Sequence, residues 1–211
     1  MEAVLASAYF APIQWFHKLV HYDRVWIECF DNYQKQTYRN RCVIATTAGR
    51  QALTVPVENF ETLKCAMKDV RISNHGSWRH QHWNALSSAY GESPFFEFYE
   101  DDIRPFFDEE WEFLFDYNMA ITRKICELID IEPNIKITDE YYTLSPSEGE
   151  SSNDEMDDFR DIIRPKHPGV DNAFTARRYY QVYEQKNGFQ ENLSILDLLF
   201  NMGPESAAWL R

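Results

Sequence analysis

The stretch Glu2-Ala3-Val4-Leu5-Ala6-Ser7-Ala8-Tyr9, then Pro12, then Ile13-Gln14-Trp15-Phe16-His17-Lys18-Leu19-Val20-His21-Tyr22 and Asp23-Arg24-Val25-Trp26-Ile27-Glu28-Cys29-Phe30, decides the fold class. The first run alternates small and apolar residues as a strand does. Pro12 stands where its fixed φ and missing N–H suit the start of a helix over residues 13–22. Residues 23–30 return to period two, with Val25, Ile27 and Cys29 on one side. Strand, helix, strand is the opening of a parallel sheet with a right-handed crossover. The expected class is α/β: a mainly parallel sheet flanked by helices, with a β-hairpin and a helical region, forming one domain over residues 1–211.

Further along, residues 42–46 and 51–57 flank Thr47-Ala48-Gly49-Arg50 as a hairpin would, and Pro56 restricts the second strand to an edge or an end. Ser77 and Gly91 bracket a helix over 78–90, with Ser77 as its cap. Residues 104–131 read as one long helix, with Pro105 near its start, Asp108, Glu109 and Glu110 in its early turns, and a stripe of Trp111, Leu114, Phe115, Asn118, Ile121, Ile125 and Leu128. A strand is expected over 135–141, a flexible acidic loop over 144–158 and a helix over 176–185. A last helix starts at Ser194, with Asp197 three residues on, turns Leu196, Leu199 and Phe200 inward, and ends at Gly203-Pro204.

The chain has 211 residues, 16% of them aromatic, and only 7 glycines, a composition suited to a packed core. Its formal net charge of −13 argues against nucleic acid and anionic membranes as partners. No apolar run approaches the ~20 residues of a membrane span and no secretory signal opens the chain, so no membrane insertion and a cytoplasmic location are expected. Cys29, Cys42, Cys65 and Cys126 lack close pairing and read as free thiols. Residues 17–82 run against the overall charge, with ten Lys or Arg against six acids, which favours an anionic small molecule as partner.

Three groups are candidates for chemistry. Gln14 and His17 lie at the start of the first helix, whose unpaired N–H groups and dipole favour an anion. A capping turn with a core-lining His17 is the plainer alternative. Lys35, Asn40 and Arg41 cluster with Arg39, Tyr33 and Tyr38; arginine suits phosphate or carboxylate, although a solvated basic loop has the same composition. Trp78 and His82 share one helix face, pairing an imidazole for proton transfer with a ring for stacking. All are expected on one cleft at the carboxyl ends of the strands, with His17 and His82 catalytic and Gln14, Lys35, Asn40, Arg41 and Trp78 ligand-binding. Neither metal nor cofactor is expected: His75, His80 and His82 lack Cys or Glu at ligand spacings. No nucleophile elbow of the G-x-S-x-G type occurs.

The runs at 9–19, Asn40-Arg41, 53–57, Trp78 with His82, Ser88-Ala89-Tyr90, Pro94-Phe95-Phe96, Tyr180-Gln181-Val182 and above all Asn192-Leu193-Ser194-Ile195-Leu196-Asp197-Leu198-Leu199-Phe200-Asn201-Met202-Gly203-Pro204-Glu205 resemble the WbqC-like family of bacterial proteins. The resemblance covers nearly the whole chain. It implies a role in surface-polysaccharide synthesis of the O-antigen type: a transferase moving an acyl or aminoacyl group, glycine foremost, onto a nucleotide-linked amino sugar. A non-catalytic nucleotide-sugar-binding or assembly protein of the same pathway is the alternative. Many members carry His-Gln-Pro before the tyrosine, where this chain has Ala6-Ser7-Ala8, and Pro12 replaces a usual Trp; a role for that histidine is missing here or has passed to His17. The opening is also similar to Rossmann-like nucleotidyltransferase sheets, a likeness of fold alone.

Overall fold

The computed structural model describes residues 1–60, 64–143 and 156–211. β1 (Glu2–Ala6), α1 (Ile13–His21) and β2 (Arg24–Glu28) follow one another as the residue periodicity requires. β1 and β2 run parallel, with Glu2 opposite Arg24 and Ala6 opposite Glu28. β3 (Arg41–Thr46) and β4 (Gly49–Thr54) form an antiparallel hairpin. β5 (Ile135–Ile137) and β6 (Met156–Asp158) add parallel edges, giving the order β5-β2-β1-β6. Ala3 and Leu5 of β1 and Val25 and Ile27 of β2 enter a buried cluster that also takes in Leu196, Leu199, Phe200 and Leu210. The α/β class with a parallel sheet and a hairpin is therefore observed.

The helices are α1, α2 (Trp78–Tyr90), α3 (Phe96–Ile103), α4 (Pro105–Asp108), α5 (Leu114–Leu128), α6 (Glu184–Asn187), α7 (Ile195–Met202) and α8 (Ser206–Trp209). Four local expectations need correction. The helix over 104–131 is broken between α4 and α5, because 112–114 pair with 70–72 instead: Ile72 N donates to Glu112 O at 2.9 Å and Leu114 N to Val70 O at 2.9 Å. Trp111 therefore lies outside the helical stripe. Ser77 precedes α2 without a side-chain capping bond. Only 184–187 of the later region are helical, since Tyr179 and Gln181 are drawn into a buried network. Of the loop expected over 144–158, Met156–Asp158 is β6, and 144–155 lie outside the described residues.

That network centres on Asp197, fully buried on α7. Its carboxylate accepts from Tyr90 Oη at 2.8 Å, Tyr179 Oη at 2.5 Å and Gln181 Nε2 at 2.9 Å. One turn on, Asn201 Nδ2 donates to Asp197 O at 2.7 Å while its Oδ1 accepts from Val182 N at 3.2 Å. Ser194 caps α7 by accepting from Leu196 N at 3.3 Å and donates to Phe10 O at 2.8 Å. Gly203 ends α7 at φ 56°, where an added Cβ would stand 2.5 Å from the Phe95 ring. The polar residues of the closing run are thus fixed by buried hydrogen bonds.

Burial raises the Asp197 carboxyl to about 6 against the opposing pull of its hydrogen bonds from Tyr179, Tyr90 and Gln181. The folded protein holds this proton up to about pH 6, whereas the unfolded chain releases it near pH 4. The group's contribution to stability is therefore complete below pH 4 and is lost as pH rises through 6, on the order of 3 kcal/mol. Urea denaturation of wild type and Asp197→Asn between pH 4.5 and 7.5 is expected to show a falling stability difference across that window. A constant difference contradicts the assignment.

Candidate functional site

The N-terminus of α1 follows β1, where an anion was expected on free N–H groups. The chain occupies them itself. Ile13 N donates to Leu193 O at 3.0 Å, Trp15 N to Pro12 O at 2.9 Å, and Gln14 N to the Asn192 side-chain oxygen at 2.9 Å. Asn192 returns a bond from its Nδ2 to Gln14 Oε1 at 2.9 Å. Gln14 Nε2 reaches the other way, to Asp171 Oδ2 at 2.8 Å.

Asp171 also takes the ammonium of Lys18, one turn along α1, at 2.7 Å. The Lys18 side chain is 0% exposed and that of Asp171 5%, so the ammonium is out of water while the carboxylate borders the cleft described next. The ammonium also lies 4.3 Å from the centre of the Phe159 ring. Burial alone would raise the Asp171 carboxyl, but hydrogen bonds from Lys18 and Gln14 hold it below the usual carboxylate range. Asn192, Gln14, Asp171 and Lys18 form a continuous clamp joining α1 to two segments more than 150 residues downstream.

Beside the clamp opens a cleft of about 500 Å³, lined in part by Gln14, Asp171 and Asn192 and by Tyr38, Arg50 and Arg164. Arg164 follows β6 and donates to Gln34 Oε1 at 3.3 Å and to Asp161. Arg50 projects from the hairpin and donates to Glu191 O at 2.8 Å. Phe174 closes one side, held by the turn in which Asp171 accepts from Ala173 N at 3.2 Å.

The other strand ends are filled by charge. Glu28, at the end of β2 and fully buried, accepts from Phe30 N and Tyr142 N, each at 2.8 Å, from Thr138 Oγ1 at 2.9 Å and from Arg160 at 3.1 Å. Arg160 also pairs with Asp158, and Arg39 with Asp31.

The residues singled out from sequence fall into groups around this frame. Gln14 lines the cleft. His17 is half-buried, stacked on His21 with ring centres 3.8 Å apart and edge-on to Phe174 at 5.3 Å. Burial, then the neighbouring His21 and Lys18, lower its imidazole to about 4. A second group gathers at the end of β4. Asn40 Nδ2 donates to Val55 O at 2.8 Å, and Arg41 Nε to Thr54 Oγ1 at 3.0 Å. His82 hydrogen bonds the Thr54 backbone, its Nδ1 lies 2.9 Å from Tyr9 Oη, and its ring centre is 5.1 Å from that of Trp78. Burial lowers His82 to about 4 as well. Lys35 is exposed and lines neither place.

Sequence reasoning placed neither Arg164 nor Asp171 at the site. The signal near them is the basic, turn-rich run Arg164-Pro165-Lys166-His167-Pro168-Gly169, a composition typical of functional loops. Arg50 stood in the basic region and Tyr38 in the tyrosine cluster without being chosen. None of the four cysteines is an activated thiol: burial raises Cys29, Cys42, Cys65 and Cys126.

The structure is an α/β sheet with a partly basic cleft beside its first helix. The chain belongs to the WbqC-like protein family, whose model matches residues 7–208. It is similar to the uncharacterized protein Rv1507c of Mycobacterium tuberculosis, 26% identical over 219 residues that cover 96% of this chain and 91% of that protein. No solved structure matches.

Asp171→Ala leaves a dry ammonium without its counter-charge, which is expected to destabilise the fold by about 3–5 kcal/mol. Lys18→Met combined with Asp171→Leu, which removes both charges, is expected to recover most of that loss. Chemical denaturation of the single and double variants measures this. A single variant within 1 kcal/mol of wild type, taken as roughly the scale of an exposed ion pair, contradicts a dry clamp.

Proposed function

We propose that the protein recognises an anionic small molecule in this cleft, and that the ligand is a nucleotide-linked amino sugar of surface-polysaccharide synthesis in the cytoplasm. The observation that carries it is the presence of two guanidinium groups, Arg50 and Arg164, on one partly enclosed cleft. Guanidinium suits phosphate and carboxylate oxygens through paired donors. Gln14 and His17 stay at the site in this reading, Gln14 by holding its wall. Asn40, Arg41, Trp78 and His82 are given a packing role around Thr54 and Val55, and Lys35 none.

Family membership suggests that binding leads to transfer of an acyl or aminoacyl group, such as glycine, to the sugar amine. Attack by an amine releases a proton that a base must take, and a base works best with a pKa near the working pH. His17, which touches the cleft-lining Phe174, would serve this transferase reading. Its value of about 4, like that of His82, leaves both imidazoles poor proton acceptors at neutral pH. The lowering counts against these two imidazoles as that base, so binding without turnover is the reading we adopt.

Calorimetry with UDP- and dTDP-linked amino sugars, followed by mass spectrometry after incubation with acyl and aminoacyl donors, separates the readings. Saturable binding is expected, weakened about tenfold or more by Arg164→Ala as a charge-assisted contact is lost. A transferred group on the sugar overturns the binding-only reading. An absence of binding across the panel overturns the assignment of the cleft.

A further inference from the structure

Tyr38 stands in the wall of the same cleft with 9% of its surface exposed. Its backbone is anchored to the segment after β1, since Tyr9 N donates to Tyr38 O at 2.9 Å. The hydroxyls of Tyr9, Tyr90, Tyr117 and Tyr179 each meet a protein partner. That of Tyr38 meets none among the described residues. A phenol hydroxyl with no partner in the protein is left to water in the free fold and adds little to its stability. Its placement makes sense when an acceptor enters the cleft.

Arg50 lies on the same cleft, and its charge bears on the phenol. Its guanidinium meets a carbonyl, Glu191 O, and it forms no ion pair with a carboxylate among the described residues. That charge is therefore not taken up in an ion pair, although Glu191 and Asp171 also line the cleft. Burial pushes the Tyr38 phenol up to about 12, against the pull of Arg50, so the group keeps its proton and remains a donor at neutral pH.

We propose that Tyr38 and Arg50 form a hook for one oxyanion of the cleft's ligand, the phenol supplying a hydrogen bond and the guanidinium the charge. It rests on the reading of the cleft as an anion site, and it names the pair that separates an anionic oxygen of a phosphate or carboxylate from a neutral one. A phenol and a guanidinium on one cleft suit the charged oxygen of a phosphate or carboxylate better than a neutral hydroxyl.

The test is titration calorimetry of wild type, Tyr38→Phe, Arg50→Ala and Arg164→Ala with inorganic pyrophosphate and with uridine diphosphate, alongside melting temperatures without ligand. Tyr38→Phe keeps the ring and removes only the hydroxyl. The expected result is binding about 10- to 100-fold weaker than wild type, with a melting temperature equal to or above that of wild type. Unchanged affinity in Tyr38→Phe, while Arg164→Ala loses it, overturns the hook and leaves the cleft reading standing. A lower melting temperature for ligand-free Tyr38→Phe also overturns it, since the hydroxyl then has a partner within the fold. Failure of wild type to bind either probe overturns the hook and the anion site together.

Discussion

A lysine ammonium taken fully out of water at Lys18 is the constraint on which the arrangement of the site depends. Such a charge is tolerated only with a counter-charge and hydrogen bonds, and Asp171 supplies both. A buried pair of this kind is worth little against an apolar pair of the same volume, so its effect is best understood as placement. Asp171 belongs to the segment that carries Phe174 and forms one side of the cleft, and Gln14 shares it. Because Gln14 also bonds Asn192 twice, once through its backbone N–H and once through its side-chain oxygen, the segment before α7 is fixed to the same residue. The cleft is the space left between segments that this clamp holds against α1.

The two motif-rich ends of the chain meet here for a physical reason. The opening run provides Gln14 and Lys18; the closing run provides Asn192, which reaches α1, and Ser194, which reaches Phe10 O. A few residues on, Asp197 and Asn201 bind Tyr179, Gln181 and Val182 through a second dry polar network. Polar residues buried in this way need specific partners, so neither run can be replaced by generic apolar pattern. Arg50, which has no ion pair among the described residues, and Arg164, which is paired with Asp161, line the cleft beside them.

The sheet and its first crossover were legible because period-two and helical patterns act over a few residues, as at Val25 and Ile27. The break between α4 and α5 was not, since 112–114 take their hydrogen bonds from 70–72, a pairing that local periodicity does not encode. The site divides in the same way. Gln14 was legible from its place after β1, whereas Asp171 and Arg164 owe their position to contacts far away in sequence. Trp78 and His82 do share a face, as their spacing requires, but that face turns toward Tyr9 and the core. A helix N-terminus in sequence looks open to an anion; only the structure shows that Leu193 and Asn192 have already filled it.

Hydrogen exchange followed by mass spectrometry on a Gln14→Leu variant tests the clamp most directly. Gln14 touches both downstream segments, so its loss is expected to raise exchange in 169–175 and in 190–195 together, while β1 and β2 keep their protection. Increased exchange confined to the first turns of α1, with both distant segments as protected as in wild type, contradicts the view that the Gln14 side chain is a working part of the clamp on the cleft's walls.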